Sequence, residues 1–178
     1  VPQLIVLIGL PGSGKSSLAK QLAAQSPKGS QIISTDVIRS QLFGDETIQG
    51  SWLLIWQQIQ QQFRDTVEQI ERGQLSRAIY DATNAVRRHR KDAIAQARLS
   101  GFTRIVGIWV NTPLSVCLER NRRRDRRIPE EIILRMYRRL QGAPPSLSDG
   151  LDRLICYYSI VGTEIALASE RKNRTEFS

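Results

Sequence analysis

The chain opens with an unbroken apolar run, Leu4 to Ile8, and glycines follow at once in "GLPGSGKSS". So short a run of β-formers predicts a buried strand. A helix is expected from Lys15 to about Gln25, "SPKGS" makes a loop, and "QIIST" predicts a second short strand ending at Asp36. From Trp52 the apolar residues Trp56, Ile59, Phe63, Val67 and Ile70 recur at steps of three and four. That period gives a helix with one apolar face and leaves the glutamines of "QQIQQQ" mostly on the wet side.

"RAIYDATN" predicts a third strand with an acidic end, and Arg87 to Leu99 the helix after it. "FTRIVGIWVN" is a long apolar strand, and a helix through Val116 and Leu118 then runs into a block of arginines. Pro129 suits the first turn of a further helix, "PEEIILRMYRRLQ", whose acidic start favours the positive end of the helix dipole. "GAPPSLSDG" breaks that helix. "LDRLICYYSIV" predicts a last strand, followed by a short helix and a frayed tail from about Arg171. Strands alternating with helices imply a parallel sheet of about five strands with helices on both faces. Neither a repeat nor a long linker divides the chain, so residues 1–170 are expected to form one domain and 171–178 a polar tail.

Composition agrees. A chain of 178 residues, 40% hydrophobic and 24% charged, can bury a proper core and is globular rather than disordered. Its formal charge is +9, and more than half of that comes from Arg120 to Arg127, where six arginines stand with one aspartate. Charge this concentrated favours polyanionic partners over basic ones. A generally basic surface is the plainer alternative. Cys117 and Cys156 lie in apolar stretches without metal-like spacing, as reduced cytosolic thiols do. The single histidine, His89, leaves little room for a His-based metal site or a Ser/His/Asp triad. The opening run is too short for a membrane span and lacks a basic leader and a cleavage site, so a soluble, cytoplasmic protein is expected.

"GLPGSGKS" changes the picture from fold to chemistry. Gly9, Gly14, Lys15 and Ser16 match the phosphate-binding pattern of two glycines, lysine and serine at fixed spacing. Glycines let consecutive N–H groups of Leu10, Pro11's neighbours Gly12 and Ser13, and Gly14 to Ser17 turn around a phosphate at a helix N-terminus. Lys15 would reach the β- and γ-phosphates and Ser16 would ligate Mg²⁺. The pattern lies directly between a strand and a helix, as it must. A nucleoside triphosphate, ATP, is therefore the expected ligand.

Motors and switches usually add a strand ending in an acid with a second acid beside it. "AIYDATN" offers Asp81 but no adjacent Glu. The second strand instead ends in "STDVIR". In doubly wound folds ligands sit at the carboxyl ends of strands, where Asp36 could accept a proton from an acceptor hydroxyl. Arg39, one turn on, could hold an acidic group of that acceptor. The competing role for Asp36 is to cap a helix beginning at Val37.

"GLPGSGKSS", "STDVIR", "YDATN" and "CLERNRRRDRRIPEEIILRMY", in this order, resemble the kinase module of 5′-hydroxyl polynucleotide kinases, over roughly residues 3 to 145. The resemblance implies an adenylate-kinase-like P-loop fold with an arginine-rich lid near residues 120–129. It makes Asp36 the general base and Arg39 the holder of the acceptor's phosphate, and it puts Asp81 and Asn84 at the acceptor site. Arg120, Arg124 and Arg127 would contact the donor nucleotide, with Arg124 assisting transfer. The same elements occur in kinases for small molecules or a tRNA-bound amino acid, so the resemblance specifies the reaction more closely than the acceptor. A second basic cluster, Arg87, Arg88, Arg90 and Lys91, could track oligonucleotide phosphates or form an exposed helix face. A non-catalytic, nucleotide-dependent RNA-binding module is the remaining alternative. No run of aromatic residues suggests a base-stacking platform.

Overall fold

A computed structural model describes residues 1–46, 48, 50–160 and 163–171, with side chains as far as residue 158. Strands β1 (Gln3–Ile8), β2 (Ser30–Ser34), β3 (Arg77–Asp81), β4 (Arg104–Val110) and β5 (Arg153–Ile160) pair in parallel in the order β2-β3-β1-β4-β5. Helices α1 (Lys15–Ala24), α2 (Thr35–Phe43), α3 (Trp52–Glu71), α4 (Arg87–Leu99), α5 (Leu114–Arg122) and α6 (Glu130–Gly142) fill the connections. The chain moves from β1 outward to β2, back to β3, and then across to β4. The loop after β1 therefore lies where the strand order reverses, which is where doubly wound sheets bind ligands.

Alternation along β1 divides the core. Leu4, Val6 and Ile8 join the larger apolar cluster with α3, α4 and α6. Ile5 and Leu7 face the smaller one, with Ala19, Leu18 and Leu22 of α1. Helix α3 buries Ile59, Phe63 and Val67 as its period predicts, with Trp56 and Ile70 half-buried beside them, and adds Ile55, which the expected stripe left out. The Phe63 ring meets Tyr80 and Phe102 edge-on at 5.6 and 5.7 Å, and burying such a side chain stabilises by about 1.5–3 kcal/mol.

One expectation is overturned. After β5 the sequence suggested a short helix, because alanine, leucine and glutamate in "TEIALASER" favour one. Thr163–Arg171 instead forms a sixth strand, β6, antiparallel to β5 along its whole length. An unpaired edge on β5 is thereby covered, and that pairing overrides local propensity. The tail expected from about Arg171 lies beyond the described residues.

The expected basic cluster on α4 also separates. Arg90 is fully buried: its Nε donates to Asp149 at 2.7 Å, and Nη1 and Nη2 donate to the carbonyls of Asn84 and Ala143. Arg87 donates to the other Asp149 oxygen at 3.1 Å, and Ser146 N to Asp149 completes a small capping box. These two arginines tie α4 to the turn Leu147–Asp149 and cannot follow a phosphate backbone together. Removing one partner of a buried ion pair strands the other charge, at about 3–5 kcal/mol. Asp149→Ala should lose that much stability in urea denaturation, whereas Arg88→Ala, on the exposed face, should change it by less than about 0.5 kcal/mol.

Candidate active site

Backbone contacts shape the loop between β1 and α1. Gly12 has φ +79°, and a Cβ there would lie 2.8 Å from the carbonyl oxygen of Cys117 on α5. A Cβ on Gly9 would meet the Val110 carbonyl at 2.8 Å. The loop is also tied from outside: Gly9 N donates to Thr83 O at 3.0 Å, and Thr112 Oγ1 to Ser13 O at 2.7 Å. Gly14 caps α1 from the left-handed region, so the first free N–H groups of that helix open into the loop. The Ser13 hydroxyl is buried there without a hydrogen-bond partner.

Lys15 is buried, and its Nζ donates to the Leu10 carbonyl across the loop at 2.9 Å. Burial pulls this ammonium below the ordinary lysine value; the carboxylates of Asp81 and then Asp36 oppose the shift, and Arg124 adds to it. All three charges thus act on the same nitrogen. Ser16 Oγ donates to Asp81 Oδ2 at 2.7 Å. A serine hydroxyl bound to a carboxylate at the end of β3 is an all-oxygen donor set, suited to Mg²⁺ held jointly with substrate phosphates. Among the described residues no cluster of three His, Cys, Asp or Glu forms a metal cage of its own.

Asp81 therefore stands at the cradle, directly beside Ser16. Asn84 is placed differently from expectation. It is buried, adopts φ 48°, and donates to the Leu7 carbonyl at 2.7 Å while its own carbonyl receives Arg90. It braces the end of β1 from below.

Asp36 does not cap its helix. That role belongs to Ser34, whose hydroxyl accepts from Val37 N, and Asp36 follows in the first turn of α2. Its side chain is 65% exposed and is paired with Arg39 Nη1 at 3.0 Å. Arg39 reaches inward: it is only 20% exposed, its Nε is buried without a partner, and its charge opposes the effect of burial on the Tyr80 phenol. The carboxylate is open to solvent while its field reaches Lys15.

Arginines of the lid divide by partner. Arg122 forks onto Glu130 at 2.6 and 3.2 Å, Arg123 pairs with Glu119, and Arg126 with Asp45 beyond α2. Arg120 and Arg124, one turn apart, line a cavity of about 370 Å³ with Gly12, Ser17, Gln21 and Tyr157, and Arg120 Nη1 donates to Gly12 O at 3.2 Å. Arg127 is exposed and does not line it. Burial pushes the Cys117 thiol up, against the charges of Lys15, Arg120 and Arg124.

Three contributions escaped sequence reasoning. Asn121 is buried and closes the lid loop, donating to Ile128 O at 2.7 Å and accepting from Ile128 N at 3.0 Å. Thr112 holds the cradle, and Tyr157 forms a wall of the cavity. Gln21, which also lines the cavity, did have a signal, lying one turn beyond Ser17 on α1.

A strand, a glycine cradle with its lysine and serine, and a carboxylate beneath the serine define a nucleotide-binding P-loop protein. The chain belongs to the AAA domain family, whose sequence profile matches residues 4–143, and its relatives there are P-loop kinases. It is 30% identical over 141 residues to L-seryl-tRNA(Sec) kinase of Methanococcus maripaludis, across 75% of this chain. It spans about half, 51%, of that relative's length. Among solved structures it resembles the Deinococcus radiodurans tunicamycin resistance protein, with TM-score 0.57, 18% identity and coverage of 80% and 82% of the two chains. A chain of the Pnkp1/Rnl/Hen1 complex gives TM-score 0.54 and 22% identity, over 72% of this chain and 41% of that one. The gluconokinase of Sinorhizobium meliloti 1021 gives 0.52 and 17%, over 88% and 82%. These likenesses show the fold. No helix among the described residues is long and apolar enough to cross a membrane.

Charge-assisted hydrogen bonds contribute about 1.5–3 kcal/mol each, whereas exposed ion pairs contribute about 0–1 kcal/mol. Arg120→Ala and Arg124→Ala should therefore weaken nucleotide binding by about ten- to a hundredfold in calorimetric titration. Arg122→Ala and Arg123→Ala should leave it within about threefold.

Proposed function

We propose that this chain transfers the γ-phosphate of ATP to a hydroxyl at the 5′ end of a nucleic acid. The observation that carries this reading is the solvent-open Asp36 carboxylate, anchored by Arg39, whose field reaches the cradle lysine. Backbone N–H groups of residues 12–16 receive the phosphates, and Lys15 leaves the Leu10 carbonyl to meet them. Asp36 takes the proton of the incoming hydroxyl. The bond between the γ-phosphorus and its bridging oxygen breaks as the bond to the acceptor oxygen forms, and ADP departs. Arg39 steadies the carboxylate and offers its remaining N–H groups to the acceptor's phosphate. Arg120 and Arg124 neutralise charge on the donor, a role in which one arginine can contribute about 10³–10⁵ in rate. Magnesium, held by Ser16 with Asp81 behind it, would supply further neutralisation of the phosphates.

A nucleic-acid acceptor is supported by the net charge of +9 and by the motifs shared with 5′-hydroxyl polynucleotide kinases. It is supported too by the likeness to a chain of the Pnkp1 complex. The 30% identity to L-seryl-tRNA(Sec) kinase favours a second reading, a seryl hydroxyl carried on tRNA.

Labelled-phosphate transfer from ATP to a panel of 5′-hydroxyl RNA, 5′-hydroxyl DNA, seryl-tRNA and gluconate tests both. Labelled oligonucleotide, with a rate that falls steeply as salt rises, is the expected result. Labelling of seryl-tRNA alone would establish the second reading, and labelling of gluconate alone would defeat both. Loss of the general base should lower transfer by Asp36→Ala about 10²–10⁴-fold, with ATP affinity unchanged.

A further inference from the structure

Two rings one turn apart on α3 meet a third from another helix. Trp52 stacks near-parallel with Trp56, one turn on, at 6.2 Å between centroids, and with His89 of α4 at 6.3 Å, each pair inclined by 24°. Both separations fall within the range for offset stacking. Trp56 is half-buried against the core, His89 is exposed, and Trp52 remains 46% exposed. A tryptophan serving only the core would be covered.

The row stands on the acceptor side. Ser34 and Asp81 are register partners at the carboxyl ends of β2 and β3. Helix α2, with Asp36 and Arg39, leaves from the first; the loop to His89 leaves from the second. Helix α3 packs on both α2 and α4, and Phe43 at the end of α2 fills the space beside Gly50, just ahead of Trp52. Exposed Arg88 and Lys91 flank His89.

We infer that the Trp52–Trp56–His89 row stacks a nucleobase at the 5′ end of the acceptor strand, setting its terminal hydroxyl toward Asp36. The inference rests on the proposed nucleic-acid acceptor and names the residues that select it. Planar rings with open area, set among exposed cations on a chain of charge +9, complement a base with its phosphate. Exposed Leu53 and Leu54 make a second copy of this chain the competing occupant.

The test measures binding and phosphorylation of short 5′-hydroxyl strands by wild type, Trp52→Ala and Trp52→Phe. Intact strands are compared with strands lacking the base at the first or second nucleotide. Base–aromatic stacking predicts that Trp52→Ala weakens strand binding about tenfold or more, with ATP affinity kept and Trp52→Phe largely restoring it. Removal of one of the two bases should weaken wild-type binding by a similar factor, and the two losses should not add. Equal binding of intact and base-free strands by wild type overturns the inference, even if Trp52→Ala fails to fold. So does a Trp52→Ala protein that binds strands normally but changes its oligomeric state. Strand binding that depends on Trp52 without phosphorylation sustains the inference and defeats the proposed function. Phosphorylation indifferent to Trp52 and to the terminal bases does the reverse.

Discussion

Everything at the site depends on how closely two other segments approach the backbone of residues 9–16. The Val110 carbonyl oxygen lies only 2.8 Å from where a Cβ of Gly9 would be, and the Cys117 carbonyl oxygen 2.8 Å from where one of Gly12 would be. Thr83 and Thr112 add hydrogen bonds from two further sides. The cradle is therefore set by the main chain of β4, α5 and the loop after β3, and the side chains of Thr112, Lys15 and Arg120 tie down its carbonyls. That rigidity permits the oddity at its centre, a lysine buried on a main-chain carbonyl within the field of two carboxylates. Catalytic groups are effective when the surrounding structure holds them ready.

The arginine-rich lid illustrates how poorly a charge run reports geometry. Six guanidiniums in eight positions would repel one another if all faced one way. Glu119, Glu130 and Asp45 draw three of them outward, while Arg120 at the end of α5 and Arg124 in the turn after it both line the cavity. Asn121, between them in sequence, faces the opposite way and clamps Ile128, so the loop has a defined path. Two arginines of the lid thus line the cavity, and three are paired with carboxylates at the surface. The same sorting on α4 buries Arg90 against Asp149 and leaves Arg87 exposed but paired with the same carboxylate.

What the sequence made legible follows from the range of the interactions involved. Period and glycine placement are local, so the five parallel strands, the helix starts at Lys15, Trp52 and Arg87, and the cradle could all be read along the chain. Strand β6 could not, since its partner rather than its composition decides its conformation. Asp81 was legible as an acid at a strand end, but its position under Ser16 depends on the pairing of β3 with β1. The ring row was hidden for the same reason: Trp52 and Trp56 are one turn apart, but His89 comes from another helix.

The two halves of the site are built from different materials. The donor half is largely main chain, which any sequence with glycines in the right places reproduces. The half proposed to receive the acceptor is side chains: Asp36 and Arg39 on α2, with α3 packed on both α2 and α4. A fold divided in this way can keep its nucleotide while α2 and α3 change what is presented to it. It also places the burden of acceptor choice on few residues. Arg39 is the one among them whose buried, unpartnered Nε leaves it a hydrogen-bonding capacity that its salt bridge to Asp36 does not fill. That nitrogen is shut away from solvent, so what Arg39 presents at the surface is the edge paired with Asp36.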